Sequence, residues 1–230
     1  MAVYAIGDLH LSFASNKPMD IFGGGWSNYI EKIKSGFELL NPEDICVLCG
    51  DTSWGMSLQE SLADFKFLDT LPGKKIIIKG NHDYWWDTIS KMKTFFEKNE
   101  ITSIDFLHNN SFLYKGVAIC GTRGWLLEEG SNKEHNAKIT AREALRLRAS
   151  LLSAGDVSQK LCFFHYPPRF KNQICNEILD VLYELNVKYC YYGHIHGDGH
   201  KYATIGYFDG ITYDMVSADF LKFIPKKIMD

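Results

Sequence analysis

The chain has 230 residues, a formal net charge of −3 with both signs interspersed, and a hydrophobic fraction of 46%. That length and composition fit one large α/β unit with a core of its own, and residues 1–230 read as a single domain. The charge excludes bulk attraction to nucleic acid or to an anionic membrane, and no run approaches the roughly 18 apolar residues of a membrane span.

The first apolar run, Ala2-Val3-Tyr4-Ala5-Ile6, reads as a buried strand and ends in Gly7-Asp8-Leu9-His10. No basic segment precedes it, so no cleaved leader is expected and the chain is placed in the cytoplasm. Phe22-Gly23-Gly24-Gly25-Trp26 then reads as a mobile loop with an aromatic tip. Residues 29–40 carry Ile30, Ile33, Phe37 and Leu40 at helical spacing. A second strand-like run, residues 45–49, ends in Gly50-Asp51. Ser57-Leu58-Gln59-Glu60 forms a capping box before a stripe of Leu58, Leu62, Phe65 and Leu68.

Ile76-Ile77-Ile78 leads into Gly80-Asn81-His82-Asp83, followed by Tyr84-Trp85-Trp86. Residues 88–98 read as a helix. Val117 to Cys120 read as a strand that delivers Gly121-Thr122-Arg123-Gly124-Trp125. Arg123 offers a planar fork for a phosphate. Residues 136–152 look helical, and residues 126–160 are a possible helical cap beside the site. Residues 161–164 lead into His165-Tyr166-Pro167. Ile174, Ile178, Leu182 and Leu185 give a helix within 171–186. Residues 189–192 lead into Gly193-His194-Ile195-His196-Gly197. Residues 202–208, 211–216 and 220–224 read as strands, with turns at Asp209-Gly210 and around 217–219.

Five polar motifs thus each follow an apolar run. Strand ends in α/β sheets gather on one edge, where such proteins bind ligands. Asp, Asn and His are hard to borderline ligands suited to Mn, Fe or Zn, and a cluster of them is what metal-assisted hydrolysis needs. His108 and His135 read as surface histidines, whereas His200 lies near enough to the last motif to line the site. Trp54, Tyr84, Trp85 and Trp86 are available as an aromatic wall. Cys46 and Cys49 are three apart in a strand and point to opposite faces, so they read, with the other cysteines, as small core residues in a reducing compartment.

The motif series resembles the calcineurin-like metallophosphoesterase superfamily, whose pattern is D-x-H, G-D, G-N-H-[DE], H and G-H-x-H. The resemblance runs from Asp8 to His196. It implies a four-layer α/β/β/α sandwich with two mixed β-sheets, and two metal ions per chain, with Mn, Fe or Zn favoured. It also implies that Asp8, His10 and His196 hold one metal, that Asn81, His165 and His194 hold the other, and that Asp51 bridges them. Such metals lie about 3.5–4 Å apart and generate a hydroxide that attacks phosphorus. His82 would then assist the leaving group, with Asp83 orienting its ring. Thr52-Ser53-Trp54 follows Asp51 where protein phosphatases carry Asp-Arg-Gly, and Asp83 replaces their Glu, so the chain is more similar to prokaryotic phosphohydrolases. A small phosphomonoester or phosphodiester is the expected substrate, without a membrane or nucleic-acid partner. The alternatives are a phosphodiesterase for cyclic nucleotides or nucleic-acid ends, and a non-catalytic metal-binding scaffold.

Overall fold

The central strands of both sheets are short apolar runs of four to six residues, largely buried on both faces. A computed structural model describes residues 2–126 and 133–230. The chain runs β1 (Val3–Ile6), α1 (Tyr29–Phe37), β2 (Ile45–Leu48), α2 (Leu62–Thr70), β3 (Lys74–Ile77), α3 (Ile89–Lys98), β4 (Ile104–Phe106), β5 (Phe112–Tyr114) and β6 (Val117–Thr122). It continues with α4 (Lys133–Ser153), β7 (Gln159–Phe164), β8 (Arg169–Phe170), β9 (Gln173–Ile174), α5 (Asn176–Glu184), β10 (Tyr189–Tyr192), β11 (Gly206–Phe208), β12 (Ile211–Met215) and β13 (Lys226–Met229).

Two mixed sheets result. The first has the order β13-β1-β2-β3-β4, with β13 antiparallel to β1 and the other pairs parallel. The second has the order β11-β12-β10-β7-β6-β5, parallel at its centre and antiparallel at both edges. Alternate residues serve different layers, as the two-residue period of a strand requires. Val3, Ala5, Val47, Leu161 and Phe163 fill the space between the sheets. Ile6, Cys46 and Leu48 face a core with Phe37, Phe65 and Phe96 of α1, α2 and α3. Cys162 and Phe164 face Leu147, Leu151, Ile178 and Leu182 of α4 and α5. The architecture is therefore the expected four-layer α/β/β/α sandwich.

Cys46 and Cys49 do fall in different cores, and all six cysteines are free and buried. Burial pushes the Cys46, Cys162 and Cys190 thiols far up, which keeps them unreactive. Among the described residues no helix is long and apolar enough to cross a membrane.

Several local expectations are corrected. Residues 171–175 do not begin a helix: Lys171 takes φ 54°, β8 and β9 form a hairpin, and Ile174 is exposed. Residues 220–224 are no strand either, because Lys222 and Phe223 take successive left-handed conformations at φ 53° and 64°. Their apolar character reflects a buried Phe223 ring, and the strand comes later, at β13. The 202–208 strand shrinks to β11, since Gly197–Tyr202 is a 3-10 helix. The capping box is half formed. Ser57 Oγ accepts from Glu60 N at 3.2 Å, but the Glu60 carboxylate takes Met56 N, and α2 starts only at Leu62. Of the segment 126–160, residues 127–132 lie outside the described residues, and the remainder includes α4.

Candidate metal centre

Parallel strands of both sheets end on one edge, and a bridge between Gly7 and Ser217 joins the sheets there. Gly7 N donates to Val216 O at 2.7 Å, and Ala218 N donates to Gly7 O at 3.0 Å. The residues after β1, β2, β3, β7 and β10 consequently meet. Asp8, His10, Asp51 and His194 all take positive φ, at 61°, 47°, 49° and 71°. Such backbone is unfavourable for non-glycine residues and persists only where surroundings enforce it. Here Asp8 N is tied to Gly50 O at 2.8 Å, His10 N to Asp51 O at 2.9 Å, and His194 N to Asp8 Oδ2 at 2.9 Å. The motif glycines serve this crowding. A Cβ on Gly80 would stand 2.1 Å from Asp51 N, and one on Gly193 would stand 2.6 Å from Asp8 Oδ2.

Two groups of potential ligand atoms form, Asp8 with His10 and His196, and Asp8 with Asp51 and His165, each within 4.8 Å. Asp51 Oδ2 lies 3.8 Å from His10 Nε2 and 3.6 Å from His165 Nε2, so one carboxylate oxygen stands between the groups. His196 Nε2 lies 3.6 Å from Asp8 Oδ1. Asn81 Oδ1 lies 2.6 Å from His165 Nε2, and the His194 ring is centred 5.0 Å from that of His165. The structure thus brings together Asp8, His10, Asp51, Asn81, His165, His194 and His196.

The ring orientations have identifiable causes. His165 Nδ1 lies 3.0 Å from the Cys49 carbonyl, which can only accept, so Nδ1 carries the proton and Nε2 presents its lone pair inward. Asn81 Oδ1 then faces that lone pair with no proton between them, an arrangement that a cation relieves. His196 Nδ1 lies 3.0 Å from Asp219 Oδ1, and Gly197 N donates to Asp219 Oδ2 at 3.1 Å. Sequence reading missed Asp219 as a site residue and left it in a turn. Its signal was a carboxylate just past a strand of the second sheet. His200, expected near the site, has Nε2 3.2 Å from Asp219 Oδ2.

Electrostatics favour a cation. Asp8 and Asp51 are buried, and among the described residues no Lys or Arg pairs with either. Burial, then the carboxylates of Asp83 and Asp8, push the Asp51 pKa well up. Burial also lowers His10, His165 and His194 to about 3, leaving neutral imidazoles able to ligate. Burial opposes charge on His196, but Asp8 and Asp219 outweigh it and raise that pKa to about 10. His10 Nδ1 and His196 Nε2 are buried without a hydrogen-bond partner. Uncompensated carboxylates and unpaired ring nitrogens together fit a site for cations with nitrogen and oxygen ligands.

His82 N donates to Asp51 Oδ1 at 2.7 Å, and its ring is centred 4.5 Å from Trp54 and 5.9 Å from His10. Burial, then Lys17, hold the His82 pKa below its usual value. The expectation that Asp83 orients this ring is corrected. The Asp83 carboxylate accepts instead from Thr52 N, Ser53 N, Gly80 N and Trp85 Nε1, at 2.9, 3.3, 2.7 and 2.9 Å. It clamps the loops after β2 and β3 together. Trp85 is accordingly buried in the core, and Trp86 packs on Phe106 and on a half-buried His108, which is not the surface residue expected. His135 is exposed.

A cavity of about 630 Å³ opens beside His10, His82 and His196. The 22–26 segment, expected to be a mobile loop, is built of two 3-10 turns that carry the Trp26 ring into this wall. Arg123 lies outside the cavity, in a small recess with Lys79, Glu143 and Arg146. Its guanidinium carbon is 5.2 Å from the Trp125 ring centre, and its Nε is buried without a partner.

Paired mixed sheets with a buried carboxylate and imidazole cluster on their joined edge fit a metal-dependent hydrolase. The sequence profile of the calcineurin-like phosphoesterases matches residues 1–198, and the chain belongs to that family. No curated protein matches it significantly. Among solved structures it is similar to the phosphopantetheinyl hydrolase PptH of Mycobacterium tuberculosis, at 15% identity and a TM-score of 0.57, over 99% of this chain and 95% of that one. It is also similar to AQ665 of Aquifex aeolicus, a protein of unknown function, at 15% identity and a TM-score of 0.52 over 98% and 95% of the two chains. TT1561 of Thermus thermophilus is 18% identical with a TM-score of 0.53, over 84% and 81%. At these identities the likeness is one of fold.

Proposed function

We propose that this chain hydrolyses small phosphomonoesters or phosphodiesters in the cytoplasm, using two metal ions of the Mn, Fe or Zn type. Asp8, His10 and His196 would hold one ion, Asn81, His165 and His194 would hold the other, and Asp51 would serve both. The position of Asp51 Oδ2, within 3.8 Å of a histidine nitrogen from each set, carries this reading. When bound, such cations neutralise charge on phosphoryl oxygens and lower the pKa of water. His82, on the cavity side of the cluster, faces the departing ester oxygen and assists it by a ring N–H hydrogen bond to the charge that develops there. Asp83 holds the His82 and Asp51 loops in register. Arg123, which among the described residues has no carboxylate paired with its guanidinium, meets a phosphoryl oxygen.

The test is reconstitution of chelator-stripped protein with Mn²⁺, Ni²⁺, Co²⁺, Zn²⁺ or Fe²⁺ against p-nitrophenyl phosphate and its bis-ester. Metal-dependent turnover that disappears in Asp51→Asn is expected. Two metals bound per chain without turnover of any ester would instead support a metal-binding scaffold. A bis-ester rate above that of the monoester would favour the diesterase alternative.

A further inference from the structure

The cavity beside the metal centre has a one-sided chemistry. Its wall is Met19, Phe22, Trp26 and Trp54, with bare backbone at Gly23, Gly24 and Gly25. Trp26 is held from behind by Phe223, with ring centres 5.1 Å apart, and by Tyr29 at 5.8 Å, so this wall is a fixed surface. Trp54 stacks on His10 at 4.8 Å and 23°. Phe22 is 67% exposed at the rim, beside an even more exposed Ile21. Lys17 Nζ lies 4.8 Å from the Trp54 ring centre, at the edge of this wall. The lining carboxylate, Asp219, already faces His196 and His200.

The side on which the cavity opens matters as much as its lining. His82 and His196 border it, whereas Arg123, Lys79 and Arg146 gather in a separate recess. His82 faces the cavity, so the organic substituent on an ester oxygen beside His82 extends into the aromatic cavity. A volume of about 630 Å³ suits a whole small organic group, since ligand pockets span roughly 300–1,000 Å³.

We infer that the substrate is a phosphoester whose leaving group carries an apolar ring, and that this ring is seated against the Met19, Trp26 and Trp54 wall, with Phe22 at the rim. The inference rests on the hydrolase reading above and narrows it.

The experiment compares 2-phenylethyl phosphate with ethyl phosphate, two alkyl esters that differ mainly in the apolar ring. Burying that ring is expected to raise kcat/KM about 10- to 100-fold. Phe22→Ala, at an exposed side chain, should cut that preference by about threefold. A preference within twofold, or one unchanged in both Phe22→Ala and Trp54→Ala, would overturn the inference while leaving the hydrolase reading intact. If neither ester is turned over, tryptophan fluorescence titration of the metal-loaded protein with 2-phenylethylphosphonate and ethylphosphonate decides the matter. Binding at least about tenfold tighter for the aryl compound keeps the cavity assignment, and the aryl-ester reconstitution then decides the hydrolase reading separately. Equal binding rejects the cavity assignment.

Discussion

The edge that carries the ligand cluster and the segment that walls the cavity are built on opposite principles. On the edge, Asp8, His10, Asp51 and His165 are all buried, and left-handed backbone is pinned by hydrogen bonds reaching across both sheets. The wall is two 3-10 turns, Met19–Phe22 and Gly24–Trp26, joined at Gly23, with Phe22 largely exposed and Met19 and Trp26 as buried anchors. Groups that must act on one phosphorus atom need fixed positions, because small displacements cost large factors in rate. A wall that only sorts leaving groups needs shape and polarity, which a short anchored segment supplies.

Substitutions on the edge should therefore act in large steps. Asp51→Asn removes the carboxylate between the two ligand groups, and kcat/KM should fall by about 10³-fold or more, with metal content dropping in elemental analysis. Retention of both metals with near-normal turnover would displace Asp51 from the centre. His82→Ala should lower kcat by roughly 10²- to 10⁴-fold while both metals stay bound. A drop that tracks metal loss would make His82 structural. Asp83→Ala leaves four buried donors without their acceptor, and chemical denaturation should show a loss of about 3–5 kcal/mol. A loss below about 1 kcal/mol would mean that water or relaxation replaces the clamp.

The smallest effect on the edge sits nearest the wall. Asp219→Asn should weaken metal binding about 10- to 100-fold in a competition titration, because it orients His196 from outside the ligand set. Its pH dependence follows from the same contact. His196 is raised from 6.5 to about 10, so its contribution to the metal-free fold is complete below pH 6.5 and is lost as pH rises through 10. In chelator-treated protein, the stability gap between the native chain and Asp219→Asn should be widest between about pH 4 and 6.5, shrink in acid as Asp219 protonates, and close towards pH 10. A gap that widens with pH would assign the stabilisation to something other than the charged ring.

The two regions also differed in legibility. Each edge motif follows an apolar run, and such runs become strands whose ends a parallel sheet must align, so the cluster could be read before any coordinates. Asp83 was misassigned because adjacency to His82 in sequence says nothing about direction, and its carboxylate serves the backbone of a different loop. Ile174 matched a helical period that the left-handed turn at Lys171 cuts off. Trp54 and Trp26 were legible as aromatics near the site. Only packing revealed that one stacks on His10, that the other is braced by Phe223, and that Trp85 belongs to the core instead.

By itself the chain determined the alternation of buried strands and amphipathic helices, the order of the ligand motifs and the chemistry those ligands support. Those properties are written in local patterns, because strand and helix periods and ligand types need no partner to be recognised. Tertiary structure alone decided that Asp51 Oδ2 stands between His10 and His165, that Asp219 backs His196, and that Trp26 and Trp54 line one cavity. Each of these joins residues distant along the chain, and such contacts exist only once two sheets have closed on a shared core.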